Sequence, residues 1–127
     1  MLFRSKIKKK ILLVQSRGNL WGAPKGSKEL NETIKECAIR EVFEETGLVI
    51  ENHMIDDNKK LIYNNAHYYY LNMPQKDVKL NNDYEDNDVS GIGWINTECL
   101  VNMIHDDQIT LNYHCKLLLE YFLKIYL

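Results

Sequence analysis

The 127-residue chain predicts an α/β domain of three layers, with helices on a mixed β-sheet. Short strand-like runs rich in Ile, Val and Tyr alternate with helix-period segments across the chain. Turn signals separate them, among them Asn64-Asn65, and no Gly/Ser/Pro-rich linker divides the sequence. A single domain over 1–127 is therefore expected, large enough to bury a core.

Met1 to Ser5 and Ile11 to Gln15 read as strands around a basic turn, Lys6 to Lys10. A tight loop, Trp21-Gly22-Ala23-Pro24-Lys25-Gly26, follows, with Trp21 as a core anchor. A helix is expected over Asn31 to Thr46, with Asn31 as its N-cap and Glu32 in a structural role at its start. Its apolar arc is Ile34, Ala38, Ile39 and Val42. Leu48 to Ile50 begins another strand, and Lys60 to Tyr63 with His67 to Asn72 forms a hairpin across Asn64-Asn65.

Within that hairpin Tyr68 and Tyr70 point one way and Tyr69 the other. Sheet packing accounts for such rings, and Tyr70 is also a candidate to stack on a base. Gly91 to Ile95 is a further strand. Thr97 could cap a short helix through Met103, and Leu111 to Tyr126 reads as a long amphipathic helix.

The chemistry concentrates on the first helix. Glu41, Glu44 and Glu45 stand at i, i+3 and i+4, so three carboxylates share one face. Like charges at that spacing cost about 0.2–0.5 kcal/mol per pair, and the helix C-terminus disfavours them further. Glu45 projects between Ile34 and Ala38 at the core margin, where desolvation adds to the cost. A segment that breaks several local rules at once is better explained by a bound hard cation, Mg²⁺ or Mn²⁺, than by poor helix design. Arg40 can reach Glu44 one turn on and Glu36 one turn back, holding a carboxylate in place. The loop before the helix would bring backbone beside this face, Gly26 permitting close approach and Lys25 offering a point charge to a phosphate.

From Gly26 to Leu48 the chain fits Gly-x5-Glu-x7-Arg-Glu-U-x-Glu-Glu-x-Gly-U, U being aliphatic, at every fixed position. Gly26, Glu32, Arg40, Glu41, Glu44, Glu45 and Gly47 occupy the invariant places. This pattern resembles the Nudix box. The resemblance implies an α/β/α sandwich with a mixed sheet and a hydrolase that uses divalent metal to cleave a nucleoside diphosphate linked to another group. It also implies that Glu41, Glu44 and Glu45 ligate metal with help from the Lys25 carbonyl, and that Arg40 orients a carboxylate.

Nudix enzymes often take another carboxylate from before a Trp-bearing strand. In the acidic run Asp83, Glu85, Asp86 and Asp88, Asp88 lies six residues ahead of Trp94 and is the first candidate for general base alongside Glu44, with Glu85 second. Such runs are also ordinary solvated loops.

Trp-Gly-Ala-Pro-Lys-Gly followed by Glu-Cys-Ala-Ile-Arg-Glu-Val-Phe-Glu-Glu-Thr-Gly is similar to the catalytic subunit of the eukaryotic messenger-RNA decapping enzyme. That implies release of 7-methylguanosine diphosphate from capped RNA, leaving a 5′-monophosphate. The likeness covers the box and its flanks. The likeness does not extend to the helical regulatory domain that precedes the Nudix domain in that enzyme, and the expected C-terminal helix carries only Lys116 and Lys124 where a basic RNA-binding helix is usual. Arg4, Lys6, Lys8, Lys9 and Lys10, with Arg17 and Lys28, could supply phosphate contacts; they could equally be a solvated turn that blunts an edge strand.

Diadenosine tetraphosphate hydrolases share the Pro-Lys-Gly, and diphosphoinositol polyphosphate phosphatases share the box. A Nudix-fold binding module is a further alternative, although such modules often lose box glutamates and this chain keeps them all.

No apolar run is long enough to cross a bilayer, and MLFRSKIKKK lacks the features of a signal peptide. A soluble intracellular protein is expected. Cys37, Cys99 and Cys115 are widely spaced and odd in number, which fits buried reduced thiols rather than a zinc site or disulfides. The formal charge of −2 does not by itself exclude a nucleic-acid partner, because distribution matters more than the sum.

Overall fold

The computed structural model describes residues 1–6, 9–16, 19–80 and 89–127. Lys8, Arg17, Asp83, Glu85, Asp86 and Asp88, all named above as candidates, lie outside the described residues.

The organising strand is β2, Lys10–Gln15. Ile11, Leu12, Leu13 and Val14 are all buried, so both faces of this strand are covered, which requires a layer on each side. One edge of β2 pairs antiparallel with β6, Gly91–Asn96, along its whole length, from Lys10↔Asn96 to Gln15↔Gly91. The other edge is shared. Its first half pairs antiparallel with β1, Leu2–Ser5, and its second half with β3, Leu20–Gly22. Beyond β1 the sheet continues through parallel β5, Ala66–Asn72, to antiparallel β4, Lys60–Tyr63. Beyond β3 it ends in parallel β7, Thr110–Leu111. The sheet is therefore mixed, as expected.

Helix α1, Ile34–Thr46, covers one face with Val42, Ala38 and Ile39, against Phe3, Leu12, Tyr69 and Leu71. Helices α2, Thr97–His105, and α3, Tyr113–Leu123, cover the other with Leu100, Leu118 and Leu119, against Leu2, Ile11, Leu13, Tyr68 and Tyr70. Each fully buried leucine contributes about 1.5–3 kcal/mol over its exposed state. The alternation of the three tyrosines holds: Tyr68 and Tyr70 enter one core and Tyr69 the other.

Local chemistry sets the element ends. Asn64 and Asn65, at φ 49° and 64°, form the two-residue turn of the β4–β5 hairpin, where positive φ at both positions matches the twist of the strands. Helix α1 ends at Gly47, φ 78°, whose N–H donates to the Phe43 carbonyl at 2.9 Å.

Several expectations change at this level. The cap of α1 is Thr33, not Asn31. Thr33 Oγ1 accepts from the Glu36 N–H at 3.1 Å and the Glu36 carboxylate accepts from the Thr33 N–H at 2.9 Å, a reciprocal box that starts the helix later than expected. Asn96 rather than Thr97 caps α2, its Oδ1 accepting from Glu98 and Cys99. Helix α3 is shorter than the expected Leu111 to Tyr126, because Leu111 pairs with Trp21 in the sheet and Asn112 caps through the Cys115 N–H at 2.8 Å.

Trp21 lies in a strand, β3, and not in the loop, with its ring partly buried against the core. Leu48 to Ile50 forms no strand. Leu48 and Ile50 are buried and Val49 is 69% exposed, so the alternation is real, but among the described residues no ladder partner stands beside it. Cys37 and Cys115 are buried free thiols, whereas Cys99 is exposed, a departure from the expected burial.

Thr33→Ala should lower stability by about 1 kcal/mol, as loss of such a cap does, and Thr33→Ser should restore most of it. Denaturant unfolding of the three proteins measures both. An undiminished Thr33→Ala would show that packing alone sets the start of α1.

Candidate active site

Arg40 stands at the centre of a carboxylate cluster. Its Nε and Nη2 donate to the two oxygens of Glu32 at 2.7 and 3.0 Å, a bidentate pair. Its Nη1 donates to Glu41 Oε1 at 2.8 Å and to Glu44 Oε2 at 3.1 Å, and Nη2 also reaches the Ser27 carbonyl at 2.9 Å. The expected reach to Glu44 is present. The reach to Glu36 is not, because Glu36 is committed to the Thr33 cap. Glu32 takes that place: it precedes the helix and folds back onto Arg40, so its structural role is that of an anchor for the arginine and not of a helix-start charge.

These side chains are 13 to 23% exposed, so their bonds are sheltered from water. The Arg40–Glu32 fork, two charge-assisted bonds onto one carboxylate, is the best-formed tie in the cluster. The Arg40 hydrogen bonds hold the Glu32 carboxyl down at about 2 from an ordinary 4.5, helped by the Glu29 N–H, and the same bonds raise the Arg40 pKa. Glu41 moves in the opposite direction: burial pushes its carboxyl up, and the Arg40 bond does not fully offset that.

Gly26 lies directly against Glu41. A Cβ there would stand 1.9 Å from Glu41 Cδ, so any other residue would drive the carboxylate away from Arg40. Glu45, buried at 9% exposure, accepts the Lys25 N–H at 3.1 Å. The loop thus meets the helix through the Lys25 amide at Glu45 and the Gly26 backbone at Glu41, while the Lys25 side chain is exposed.

The three carboxylates expected to converge do not close on one point here. Arg40 takes Glu41 and Glu44, the Lys25 amide takes Glu45, and among the described residues no three His, Cys, Asp or Glu side chains gather as a metal cage. The donor set nevertheless suits a hard divalent cation. It consists of carboxylate oxygens, two of them share one cationic nitrogen, and Glu41 is buried more than Arg40 compensates.

A cleft of about 620 Å³ opens beside this cluster. It is lined by Lys25, Gly26 and Lys28 of the loop, by Glu41 of α1, by Asn64 to Tyr68 of the β4–β5 hairpin and by His114 of α3. The hairpin was expected as an element of the fold, but its place at the cleft, like that of His114, is marked by no motif. Tyr70, the expected base-stacking ring, is not in the cleft. It stacks on Phe122 with centroids 5.1 Å apart, and its hydroxyl donates to Asn72. Tyr68 lines the cleft instead, with its hydroxyl hydrogen-bonded to His114 Nδ1.

The low Glu32 pKa carries a testable sign. Its folded value lies below its unfolded one, so its contribution is complete above about 4.5 and drains away as pH falls towards 2. The raised Glu41 opposes this, since its protonation relieves a buried charge. Thermal unfolding across this window should show a shallower acid loss for Glu32→Gln than for wild type, from a lower starting stability. Parallel profiles would place the acid lability elsewhere.

Comparison with known proteins agrees with the fold and the box. The NUDIX domain family model matches residues 1–112. Protein 111R of Invertebrate iridescent virus 3 is 35% identical over 98 residues, covering 74% of this chain and 56% of that protein. The mRNA-decapping protein g5R of African swine fever virus is 33% identical over 106 residues, covering 70% of this chain and 43% of that protein. The chain therefore spans about half the length of these curated relatives. Among solved structures, an Ap4A hydrolase binary complex from C. elegans superposes with a TM-score of 0.63 at 22% identity, over 97% of this chain and 90% of that one, a likeness of fold. With its box intact and the family match running from the first strand to the cap of α3, this chain belongs to the Nudix family.

Proposed function

We propose that this chain is a metal-dependent Nudix hydrolase of a pyrophosphate bond, and that capped RNA is its substrate. The observation that carries the hydrolase reading is the Arg40-centred cluster, with Glu41 and Glu44 on one guanidinium nitrogen and Glu41 lining a cleft together with Lys25 and Lys28. Capped RNA is favoured by the decapping resemblance of the box and its flanks and by the 33% identity to g5R. The second reading, a small-molecule hydrolase of diadenosine tetraphosphate, a diphosphoinositol polyphosphate or another nucleoside diphosphate derivative, rests on the Pro-Lys-Gly and the box.

Glu41, Glu44 and Glu45, with the Lys25 carbonyl, would hold Mg²⁺ or Mn²⁺. When bound, such an ion neutralises the pyrophosphate and lowers the pKa of a water. Arg40 holds Glu41 and Glu44 in fixed orientation, and Glu32 holds Arg40, so the carboxylates enter the reaction already placed. Lys25 and Lys28 meet phosphate oxygens. The water oxygen bonds to phosphorus, its proton passes to Glu44 or Asp88, and the bridging P–O bond breaks with its electron pair leaving on a phosphate oxygen.

RNA contact by the basic turn requires an extended path. Met1 lines the cleft and β1 spans Leu2–Ser5, so Lys6 lies about 16 Å along the strand from Met1. Arg4, counted with that cluster, is half-buried, with a shielded Nε that has no hydrogen-bond partner among the described residues.

Glu44→Gln should lose at least about a hundredfold in turnover while keeping its thermal transition, because charge is removed without volume. The assay is RNA labelled in its cap phosphate, with Mn²⁺ or Mg²⁺, resolving the released nucleotide. Release of 7-methylguanosine diphosphate by wild type alone supports decapping. Release of nothing from capped RNA, with turnover of a dinucleoside polyphosphate, would move the substrate to the second reading. Full activity of Glu44→Gln would remove the carboxylate assignment.

A further inference from the structure

Residues 73–80 follow β5 without helix or strand of their own, yet they are tied down. The Met73 N–H donates to the Arg4 carbonyl at 2.9 Å, the Trp94 indole N–H to the Lys76 carbonyl at 2.8 Å, and the Lys79 N–H to the Thr46 carbonyl at 3.2 Å. Met73, Val78 and Trp94 pack in the same apolar core as Val42 of α1. The segment thus bridges β6 and the last turn of α1, the turn that carries Glu44 and Glu45.

We propose that Trp94 is a positioning residue for the metal-binding face of α1, acting through residues 76–79 on the helix turn that holds Glu44 and Glu45. The inference rests on the hydrolase reading above and adds a residue outside the box to those that set its carboxylates.

Three observations carry it. The first is that this turn needs support from outside the helix. The last carbonyls of a helix have no partners within it, and two glutamates at its negative pole oppose it further. The Gly47 N–H answers the Phe43 carbonyl, and the Thr46 hydroxyl donates to the Val42 carbonyl at 2.7 Å while accepting the Leu48 N–H at 3.1 Å. The carbonyl of Thr46, a fully buried residue, is met by the Lys79 N–H.

The second observation is charge. Helix α1 has no basic residue in its last turn, and the Lys79 side chain lies beside Gly47, where an added Cβ would stand 3.8 Å from Lys79 Cγ. Lys79 is exposed and brings to that helix end the cation its own sequence lacks.

The third observation is slack. Three residues of chain separate the Lys76 tie from the Lys79 tie, at most about 11 Å. Trp94 is itself fixed by antiparallel pairing with Leu12 of β2. A donor held on the sheet therefore limits where the Lys79 N–H can stand, and with it the turn bearing Glu44 and Glu45.

The test is NMR titration of the wild-type protein with Mg²⁺ alone. It follows the backbone amides from Arg40 to Gly47, the Lys79 amide and the Trp94 indole N–H, with hydrogen exchange measured before and after saturation. Coupling between two sites is reciprocal, so Mg²⁺ that shifts the box amides should slow exchange at Lys79 and at the Trp94 indole by at least about fivefold. Trp94→Phe keeps an aromatic ring and removes the donor, and Lys79→Pro removes the N–H that Thr46 accepts. Each should weaken Mg²⁺ binding by about fivefold, and the double variant should bind no more weakly than the weaker single, because both changes break one path.

Box amides that shift with Mg²⁺ while Lys79 and Trp94 exchange as before would overturn the proposal and leave the metal site standing. So would Trp94→Phe with a lowered thermal transition but unchanged Mg²⁺ affinity in the folded protein, the mark of a purely structural residue. Losses that add in the double variant would break the single path on which the proposal depends. Absence of any Mg²⁺ shift in the box would remove both this role and the metal-dependent reading. Where a variant does not fold, the wild-type exchange decides.

Discussion

The guanidinium of Arg40 is the constraint around which the site is organised. Glu32, Glu41 and Glu44 would repel one another if gathered without a cation, and each loses hydration on approaching the helix face. Arg40 answers all three, binding Glu32 with two nitrogens and bridging Glu41 and Glu44 with the third. Its Nη2 also clasps the Ser27 carbonyl, which fastens the loop before α1 to the helix. The same residue therefore positions backbone and carboxylates together, the arrangement a phosphate-cleaving site needs before substrate arrives.

That cluster can exist because the sheet holds its two borders. The chain leaves β3 at Gly22 and returns through the loop to α1, so the register of β3 against β2 and β7 determines where Lys25 and Gly26 fall. The Lys25 amide reaches Glu45, and the missing side chain of Gly26 leaves room for Glu41. On the far side of the cleft the parallel pairing of β1 with β5 carries the hairpin to its place, and the Tyr68–His114 bond couples it to α3. Met1, the loop with α1, the hairpin and α3 thus meet at one opening.

Much of the fold was readable because its signals are local. The unbroken apolar run Ile11–Val14 marks a strand covered on both faces, Asn64-Asn65 marks a tight hairpin turn, and Gly47 marks a helix end. The errors have local causes as well. Asn31 looked like a cap, but Thr33 with Glu36 forms the reciprocal box, so Glu36 was not available to Arg40. Leu48–Ile50 alternates like a strand, yet burial alone does not supply a ladder partner. Trp21 and Leu111 carry the local signals of a loop and a helix, whereas their parallel pairing joins positions 90 residues apart, a separation no periodicity reveals.

By itself the sequence determined the family and the identity of the charged residues, since the box is a set of fixed spacings along one helix and its approach, and a helix converts spacing into a face. Only the tertiary structure decided how those charges are shared. It gave Glu32 to Arg40, moved Tyr70 away from the site onto Phe122, and brought His67, Tyr68 and His114 to the cleft. The physical reason is range. Helical spacing acts over a few residues, whereas side-chain partners across the cleft are selected by strand register and by the burial that each pairing allows.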